Sequence, residues 1–270
     1  MKAKKSLGQH FLIDGKSIQA IVDAARIDTD DLVIEIGPGR GALTEFLVRR
    51  GAQVVAIEID NDLSNSLRKQ YAMYSNFSLI AKDVQLVDIK QLVGDAGFSR
   101  AILIGNLPYH ITGLLIRQIL EAREVLRRAV IMVQREVAHR MTATPGKKDY
   151  GVLTTVTQTN SVPELLFDLP PSYFEPPPKV HSSVLRLGFE GAPLYSVADQ
   201  VLFLKVVHAG FQQRRKMLRN TLPTLVDGDE ILLNEILAEA DVDASLRPEA
   251  VSVDQFERIA RIWQNKTAKE

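Results

Sequence analysis

The chain of 270 residues contains no cysteine, which excludes disulfide bonds and thiolate zinc sites. It also lacks any apolar run near the roughly 18–20 residues that a membrane-spanning helix needs, so we expect no membrane partner. The first five residues, Met1 to Lys5, are not followed by the apolar segment of a signal peptide. These absences together predict a cytoplasmic protein.

Histidine is scarce and net charge is absent. The five histidines are scattered without metal-ligand spacing, so no metal is predicted. The 33 basic and 33 acidic residues cancel, but residues 201–226 hold five basic residues and no acid. Because local fields steer a charged partner, a neutral total can hide a nucleic-acid-binding face. A solvated surface remains the alternative for such a charge run.

Apolar runs alternate with amphipathic stretches from residue 32 onward, which predicts an α/β fold with a parallel sheet and right-handed crossovers. A further run, at residues 183–189, alternates apolar and polar side chains and predicts a late antiparallel strand of the same sheet. The five earlier strands are predicted at residues 32–36, 54–60, 77–83, 101–105 and 129–133.

A glycine-rich turn, Gly37 to Gly41, follows the first predicted strand and precedes a helix. Glycines allow a sharp turn and close approach of the backbone to a ligand. The spacing G-x-G-x-G is one residue shorter than the dinucleotide fingerprint. Glu35 lies inside the strand, where a carboxylate would repel a pyrophosphate but suits a positively charged ligand. The turn therefore predicts a ligand site, with a purely structural turn as the alternative.

The next three strands also end in polar residues, at Glu58, Asp83 and Asn106. Glu58 comes about 20 residues after the first turn glycine, the distance at which an acid binds ribose hydroxyls. Asp60 is better placed to cap the following helix. The carboxyl ends of parallel strands share one rim, where ligands bind. We therefore expect one site at this rim.

The tetrapeptide Asn106-Leu107-Pro108-Tyr109 offers that site an amide acceptor, a backbone carbonyl and a flat aromatic face. A stretch rich in proline follows later, with six of the twelve prolines between Pro163 and Pro178. It excludes a continuous helix and predicts a stiff loop. Its Phe174 is either a second aromatic face opposite Tyr109 or an anchor in the core.

The C-terminal part, after a linker at residues 188–196, shows only helical patterns. Residues 211–222 are predicted to be helical, with an apolar side and a separate basic cluster. Ser252 to Gln255 forms a capping box, and an apolar stripe follows it.

These motifs together resemble the ribosomal RNA adenine dimethyltransferase family, and specifically its bacterial small-subunit branch linked to kasugamycin sensitivity. The resemblance implies a Rossmann-like class I methyltransferase fold with a seven-stranded sheet, S-adenosylmethionine as cofactor, and a small C-terminal all-α domain. The implied catalytic domain covers residues 1–190 and the helical RNA-binding domain residues 197–270. The motifs are Gln9-His10-Phe11-Leu12, Glu35-x-Gly37-x-Gly39-x-Gly41, Glu58-Ile59-Asp60, Lys82-Asp83-Val84, Asn106-Leu107-Pro108-Tyr109, Phe174-x-Pro176-x-Pro178-Lys179-Val180 and Phe211-x-x-Arg214-Arg215-Lys216-x-Leu218.

The resemblance also assigns roles to single residues. Many relatives have Asn where this chain has His10, but a backbone contact to the cofactor would survive that change. The implied cofactor-binding residues are His10 and Leu12, which close the site, Gly37 and Gly39 under the methionine part, Glu58 on the ribose, Asp83 on the adenine amino group, and Asn106. The implied catalytic residues are Asn106 and the carbonyl of Leu107 or Pro108, which accept the target amine, and Tyr109 and Phe174, which stack on its base.

The implied activity is dimethylation of N6 of two adjacent adenines near the 3′ end of small-subunit ribosomal RNA, in the assembling 30S subunit. Basic stretches at residues 117–148 and 205–219 would contact phosphates, and a monomer is expected. One alternative is a large-subunit adenine methyltransferase, which Leu107 disfavours because that family usually has Ile there. The other is a non-catalytic assembly factor.

Overall fold

The computed structural model describes residues 3–4 and 7–267. Residues 1–2 and 5–6 of the expected catalytic domain and residues 268–270 of the expected helical domain lie outside the described residues. The described strands are β1 (Phe11–Leu12), β2 (Leu32–Ile36), β3 (Gln53–Glu58), β4 (Phe77–Ala81), β5 (Ala101–Asn106), β6 (Leu126–Gln134), β7 (Val162–Leu169), β8 (Phe174–Glu175) and β9 (Ser182–Gly188).

Seven strands form one sheet in the order β4-β3-β2-β5-β6-β9-β7. The first five are parallel, and β9 and β7 are antiparallel. Strand β2 is buried along its whole length between β3 and β5, which explains why all its residues except Glu35 are apolar. The predicted parallel sheet and its antiparallel β9 are therefore confirmed.

The strand ends are level with one another. Ile36 pairs with Ile57 on one side and with Gly105 on the other, so the residues that follow these three strands emerge side by side. Glu58 pairs with Ala81 at the end of β4. This register brings the four polar strand ends to one rim of the sheet.

Helices cover the sheet and make up the C-terminal part. The Asp60 carboxylate caps α3 by accepting a hydrogen bond from the Asp62 N–H, as the sequence predicts. The described α-helices are α1 (Gly15–Ala24), α2 (Thr44–Arg49), α3 (Asn61–Gln70), α4 (Ile89–Asp95), α5 (Thr112–Glu121), α6 (Arg135–Met141), α7 (Val152–Gln158), α8 (Gln200–Phe211), α9 (Leu218–Thr221), α10 (Glu230–Glu239) and α11 (Val253–Thr267).

Strand β7 corrects the prediction of a loop throughout the proline-rich stretch. The strand begins at Val162 and includes Pro163. Among the described strands it pairs with β9 alone and so lies at the edge of the sheet. Proline is tolerated there because an edge strand leaves one side without ladder hydrogen bonds. After Leu169 the stretch consists of turns and loop, apart from the two-residue strand β8.

The chain forms two compact units, one of residues 1–138 and 161–191 and one of residues 139–160 and 192–270. The sequence predicts one boundary, between residues 190 and 197. The chain also passes into the second unit after residue 138 and returns to the first after residue 160. Residues 139–160 group with the C-terminal helices because α7 lies beside α8 and the Tyr195 N–H donates to the Gln158 carbonyl at 3.0 Å. Tyr150 is buried there, with its ring 6.1 Å from that of Phe211.

The helical unit has its own core, which includes the apolar stripe of α11. Ser252 and Gln255 form the predicted capping box, with each side chain accepting from the other's backbone N–H at 3.1 and 2.8 Å. The expectation of helix over residues 211–222 is wrong at its centre. Helix α8 ends at Phe211, and turns separate it from α9.

Candidate active site

A cleft of about 1220 Å³, including its open mouth, lies in the first unit where strands β2 to β5 end. Both segments that the sequence predicts at a ligand site, the glycine turn and the tetrapeptide, border it. Of the residues expected in the site, those that line the cleft are His10, Leu12, Gly37, Gly39, Glu58, Asp83, Asn106, Leu107, Pro108 and Tyr109. Phe174 does not line it.

The glycine turn is required by backbone shape and by space. Gly37 and Gly39 have φ of 66° and 59°, in the left-handed region that L side chains rarely adopt. A Cβ on Gly39 would lie 2.9 Å from Cδ1 of Phe11, whose ring packs on the turn. A side chain here would therefore displace the N-terminal segment and fill the floor of the cleft.

Glu35 is a buried carboxylate at the base of the cleft, with 1% of its surface exposed. Its Oε2 accepts a hydrogen bond from Thr44 Oγ1 at 2.7 Å, whereas Oε1 is buried without a partner among the described residues. Burial raises the pKa of Glu35 to about 7, and the nearby Glu58 carboxylate adds to the rise. A positively charged ligand would compensate this orphaned oxygen.

Backbone N–H groups hold the two other acids of the cleft in place. Glu58 Oε2 accepts from the Gly39 N–H at 3.1 Å, and Oε1 accepts from the Asp60 N–H at 2.9 Å. Burial nevertheless raises the pKa of Glu58. Asp83 Oδ1 accepts from the Gln85 N–H at 3.0 Å. Both carboxylates are thus fixed with lone pairs left for a ligand's hydroxyl or amino groups.

Asn106 ends β5 with its amide fixed by the N-terminal segment. Its Nδ2 donates to the His10 carbonyl at 2.9 Å, so Oδ1 is the end that can accept from a ligand. Gly105 makes this position possible, because a Cβ there would lie 2.5 Å from the Ile36 carbonyl oxygen. No local sequence pattern marks Gly105, because the need for glycine at this position comes from the neighbouring strand.

The carbonyls of Leu107 and Pro108 differ in availability. The Pro108 carbonyl already accepts from the Ile111 N–H at 3.2 Å and from Thr112 Oγ1 at 2.9 Å. No such bond to the Leu107 carbonyl is found within the described part of the chain. Of the two carbonyls, that of Leu107 therefore has the freer lone pairs. The sequence alone left the choice between them open.

Tyr109 is held at both ends of its side chain. Its hydroxyl shares a hydrogen bond of 2.6 Å with Ser182 Oγ, and burial raises the pKa of the phenol. Its ring stacks on the imidazole of His10, with centroids 5.8 Å apart and an angle of 25° between the planes.

Phe174 lies in the core rather than in the cleft. Strand β8 pairs with β1 so that Phe174 lies opposite Leu12, and both side chains join the hydrophobic cluster behind the site. Only 3% of Phe174 is exposed. This is the core-anchor alternative that the sequence left open, and a stacking role for Phe174 stays a prediction.

Asp60 makes more contacts than the helix cap that its sequence context predicts. Its carboxylate also accepts from Lys4 Nζ at 2.6 Å and from Gln9 Nε2 at 3.0 Å, which tethers the N-terminal segment to the end of β3. The Lys4 partnership lowers the pKa of Asp60 against the effect of its burial. Only the folded register reveals this contact, since 56 residues separate the partners.

Comparison with known proteins identifies the family to which this chain belongs. A family model described as ribosomal RNA adenine dimethylase matches residues 1–265. The ribosomal RNA small subunit methyltransferase A of Caldanaerobacter subterraneus subsp. tengcongensis is 40% identical over 261 residues, covering 96% of this chain and 97% of that one. Its counterpart in Alkaliphilus oremlandii is 40% identical over 260 residues, covering 94% and 90%.

Two solved structures share the fold over nearly the whole chain. The 23S ribosomal RNA methyltransferase ErmE superposes with a TM-score of 0.73 at 27% identity, covering 94% of this chain and 99% of that one. A dimethyladenosine transferase from Plasmodium falciparum superposes with a TM-score of 0.80 at 24% identity, covering 96% of this chain and 98% of that one.

Among the described helices, none is long and apolar enough to cross a membrane.

Proposed function

Because this chain belongs to the ribosomal RNA adenine dimethylase family, we propose that its cleft methylates N6 of adenines in small-subunit ribosomal RNA. The chain is an enzyme, and S-adenosylmethionine is its methyl donor. The observation that carries the assignment of the site is the pair of open acceptors on Asn106 Oδ1 and the Leu107 carbonyl, next to the aromatic ring of Tyr109.

The residues of the cleft fit S-adenosylmethionine, which supplies an electrophilic methyl group on a sulfonium. Glu35 Oε1 is a buried acceptor that has no partner in the described part of the chain, which suits the positive charge of the cofactor. Gly37 and Gly39 leave space that a Cβ would fill. Glu58 and Asp83 offer fixed carboxylates to the ribose hydroxyls and to the adenine amino group.

The two acceptors at the end of β5 suit an aromatic amine. The lone pair of N6 is delocalised into the adenine ring, so the amine is a poor nucleophile. Asn106 Oδ1 and the Leu107 carbonyl accept its two hydrogens, which favours a pyramidal nitrogen and stabilises the positive charge that develops there. No strong general base is needed, because the N–H becomes acidic once the nitrogen carries the methyl group. Positioning of the amine supplies much of the remaining rate enhancement.

The target adenine must leave its stack to reach these acceptors. The ring of Tyr109 compensates by stacking, which contributes roughly 1–3 kcal/mol per base. The Tyr109 hydroxyl donates to or accepts from Ser182, and this bond keeps the ring in place while the base enters.

We propose the assembling small subunit as the partner and the cytoplasm as the location, because small subunits are assembled there. The first unit (residues 1–138 and 161–191) would bind cofactor and adenine, and the helical unit (residues 139–160 and 192–270) would contact RNA. Among the basic residues of 201–226, Arg214 is already paired with Glu249 at 3.1 Å. The exposed Arg215 and Lys216 are therefore the better candidates for phosphate contacts.

The target subunit is proposed from the relatives, since those at 40% identity are named for the small subunit. The large-subunit enzyme ErmE is 27% identical. The two adjacent adenines near the 3′ end are proposed from the resemblance of the sequence motifs to the family.

The test compares the wild type with Asn106→Ala on small subunits that lack the modification. Mass spectrometry reads the methylated adenine, and sedimentation reads subunit binding. We expect Asn106→Ala to lose at least about 100-fold in rate, the effect of removing one group that stabilises developing charge. The matched control is Asn65→Ala, at an exposed position of α3.

A wild-type rate for Asn106→Ala would contradict the assignment of the site. If the wild type bound subunits but never methylated them, the non-catalytic assembly factor would be the better description.

A further inference from the structure

We propose that Thr112 is a positioning residue for methyl transfer, because its hydroxyl fixes the turn after β5 and so aims the Leu107 carbonyl at the incoming adenine amine. Thr112 does not line the cleft and would touch neither the cofactor nor the base. This role rests on the proposed function, in which Asn106 Oδ1 and the Leu107 carbonyl accept the two hydrogens of N6.

The groups that would bind the base differ in how they are held. The Asn106 amide donates to the His10 carbonyl at 2.9 Å, and the Tyr109 hydroxyl shares a bond of 2.6 Å with Ser182. Leu107 is fully buried and borders the cleft, yet no donor to its carbonyl is found in the described part of the chain. The direction of this carbonyl therefore has to be set by the backbone on either side of it.

The backbone around the Leu107 carbonyl has few free torsions. On its N-terminal side, the Leu107 N–H donates to the Met132 carbonyl at 3.0 Å. On its C-terminal side, the carbonyl shares a planar peptide group with the nitrogen of Pro108. The proline ring locks rotation about the N–Cα bond of Pro108. Rotation about its Cα–C bond is then the soft torsion that remains between the Leu107 and Pro108 carbonyls.

Thr112 restrains that torsion. Its Oγ1 donates to the Pro108 carbonyl at 2.9 Å, and the residue is only 3% exposed, so water hardly competes for this bond. The Ile111 N–H donates to the same carbonyl at 3.2 Å, but the Ile111 side chain makes no capping bond at the start of α5. The Thr112 hydroxyl thus ties the turn to the helix. Without it the Ile111 N–H alone would hold the Pro108 carbonyl, and the Leu107 carbonyl could swing away from the amine.

The test compares Thr112→Val and Thr112→Ala, which remove the hydroxyl, with Thr112→Ser, which keeps it. Initial rates on small subunits that lack the modification are measured over a range of subunit concentrations at saturating S-adenosylmethionine. We expect kcat to fall about 10- to 100-fold in the two variants without the hydroxyl, because misplacement by about 1 Å costs up to about 100-fold. Thr112→Ser should stay within about threefold of the wild type, since serine offers the same donor. The two variants without the hydroxyl differ in volume, so one still gives the answer if the other fails to fold.

A positioning role should change kcat and leave binding alone. The KM for subunits and the dissociation constant of S-adenosylhomocysteine should stay within about threefold of the wild type, because Thr112 would touch neither ligand. The matched control is Thr155→Val in α7, where a fully buried hydroxyl donates to the Val152 carbonyl at 2.9 Å. It should lower the melting temperature as Thr112→Val does, but it should leave kcat unchanged.

Three results would refute the role of Thr112. The first is a kcat in Thr112→Val and Thr112→Ala equal to that of Thr112→Ser, whether all three are fast or all three are slow. The second is a change confined to KM, and the third is an equal loss of kcat in Thr155→Val.

Failure of this role is distinguishable from failure of the proposed function. If Asn106→Ala is inactive while Thr112→Val is as active as the wild type, only the role of Thr112 is refuted. If Asn106→Ala keeps its activity, the proposed site itself is wrong.

Discussion

Glu35→Gln should make the cofactor-free protein more stable at pH 8 while weakening its hold on the cofactor. Glu35 is buried, Oε2 accepts from Thr44, and Oε1 has no partner among the described residues. Glutamine keeps the shape and an acceptor for Thr44 but carries no charge. The substitution therefore removes the cost of burying a carboxylate.

The size of the effect follows from the pKa of Glu35, which burial raises from 4.5 to about 7. The folded state binds the proton more tightly than the unfolded state does, so this group stabilises the fold fully below pH 4.5. That contribution is lost as the pH rises through 7. The two pKa values differ by about 2.5 units, which at 1.36 kcal/mol per unit corresponds to about 3 kcal/mol. Most of this stabilisation is lost between pH 5 and pH 8.

Urea unfolding of the cofactor-free protein at pH 5 and pH 8 measures this contribution. The free energy of unfolding of Glu35→Gln, relative to the wild type, should rise by about 2–3 kcal/mol between the two pH values. Other acids titrate in both proteins and cancel in this difference. The matched control is Glu45→Gln on the exposed side of α2, which should shift by less than about 0.5 kcal/mol. A difference that does not change with pH would refute the reasoning.

The same variant should bind S-adenosylmethionine more weakly at pH 8. A hydrogen bond to a charged group contributes about 1.5–3 kcal/mol, so the dissociation constant should rise roughly 10- to 150-fold in calorimetry. Unchanged affinity would mean that Glu35 does not face the positive charge of the cofactor.

Two further predictions concern packing around the cleft. Gly105→Ala should lower the melting temperature by an amount equivalent to about 1–3 kcal/mol, because its Cβ would lie 2.5 Å from the Ile36 carbonyl oxygen. Gly94 lies in α4, and a Cβ added there would have no described atom within 4 Å. Gly94→Ala should therefore stabilise the protein by about 0.5–1 kcal/mol in the same calorimetric scan. Phe174→Ala should cost about 3–5 kcal/mol of unfolding free energy in urea, since the ring is 3% exposed. Loss of methylation without loss of stability would instead indicate that Phe174 stacks on the base.

The rim of the sheet could be predicted from sequence because its signals are local. Each strand there is a short apolar run, and each ends in a residue that breaks the run, as at Gly37, Glu58 and Asn106. Parallel pairing then brings the ends together without further information, because one register fixes all of them. The cleft follows from the same rule.

Features set by contacts between distant segments could not be predicted. Pro163 argues against a strand unless the strand is known to lie at an edge, which depends on the order of the whole sheet. The burial of Phe174 depends on the pairing of β8 with β1, two strands of two residues each. The choice between the Leu107 and Pro108 carbonyls depends on Thr112, because its hydroxyl donates a hydrogen bond to the Pro108 carbonyl.

The N-terminal segment shows why a motif far from the rim in sequence belongs to the site. Four consecutive residues make four different contacts, three of them at the rim of the sheet and one in the hydrophobic core. A change in the glycine turn or in the end of β3 should therefore also disturb the orientation of the Asn106 amide, through a segment that contacts all three. The contacts are Gln9 to Asp60 at 3.0 Å, the His10 carbonyl to Asn106 at 2.9 Å, Phe11 on Gly39, and Leu12 opposite Phe174.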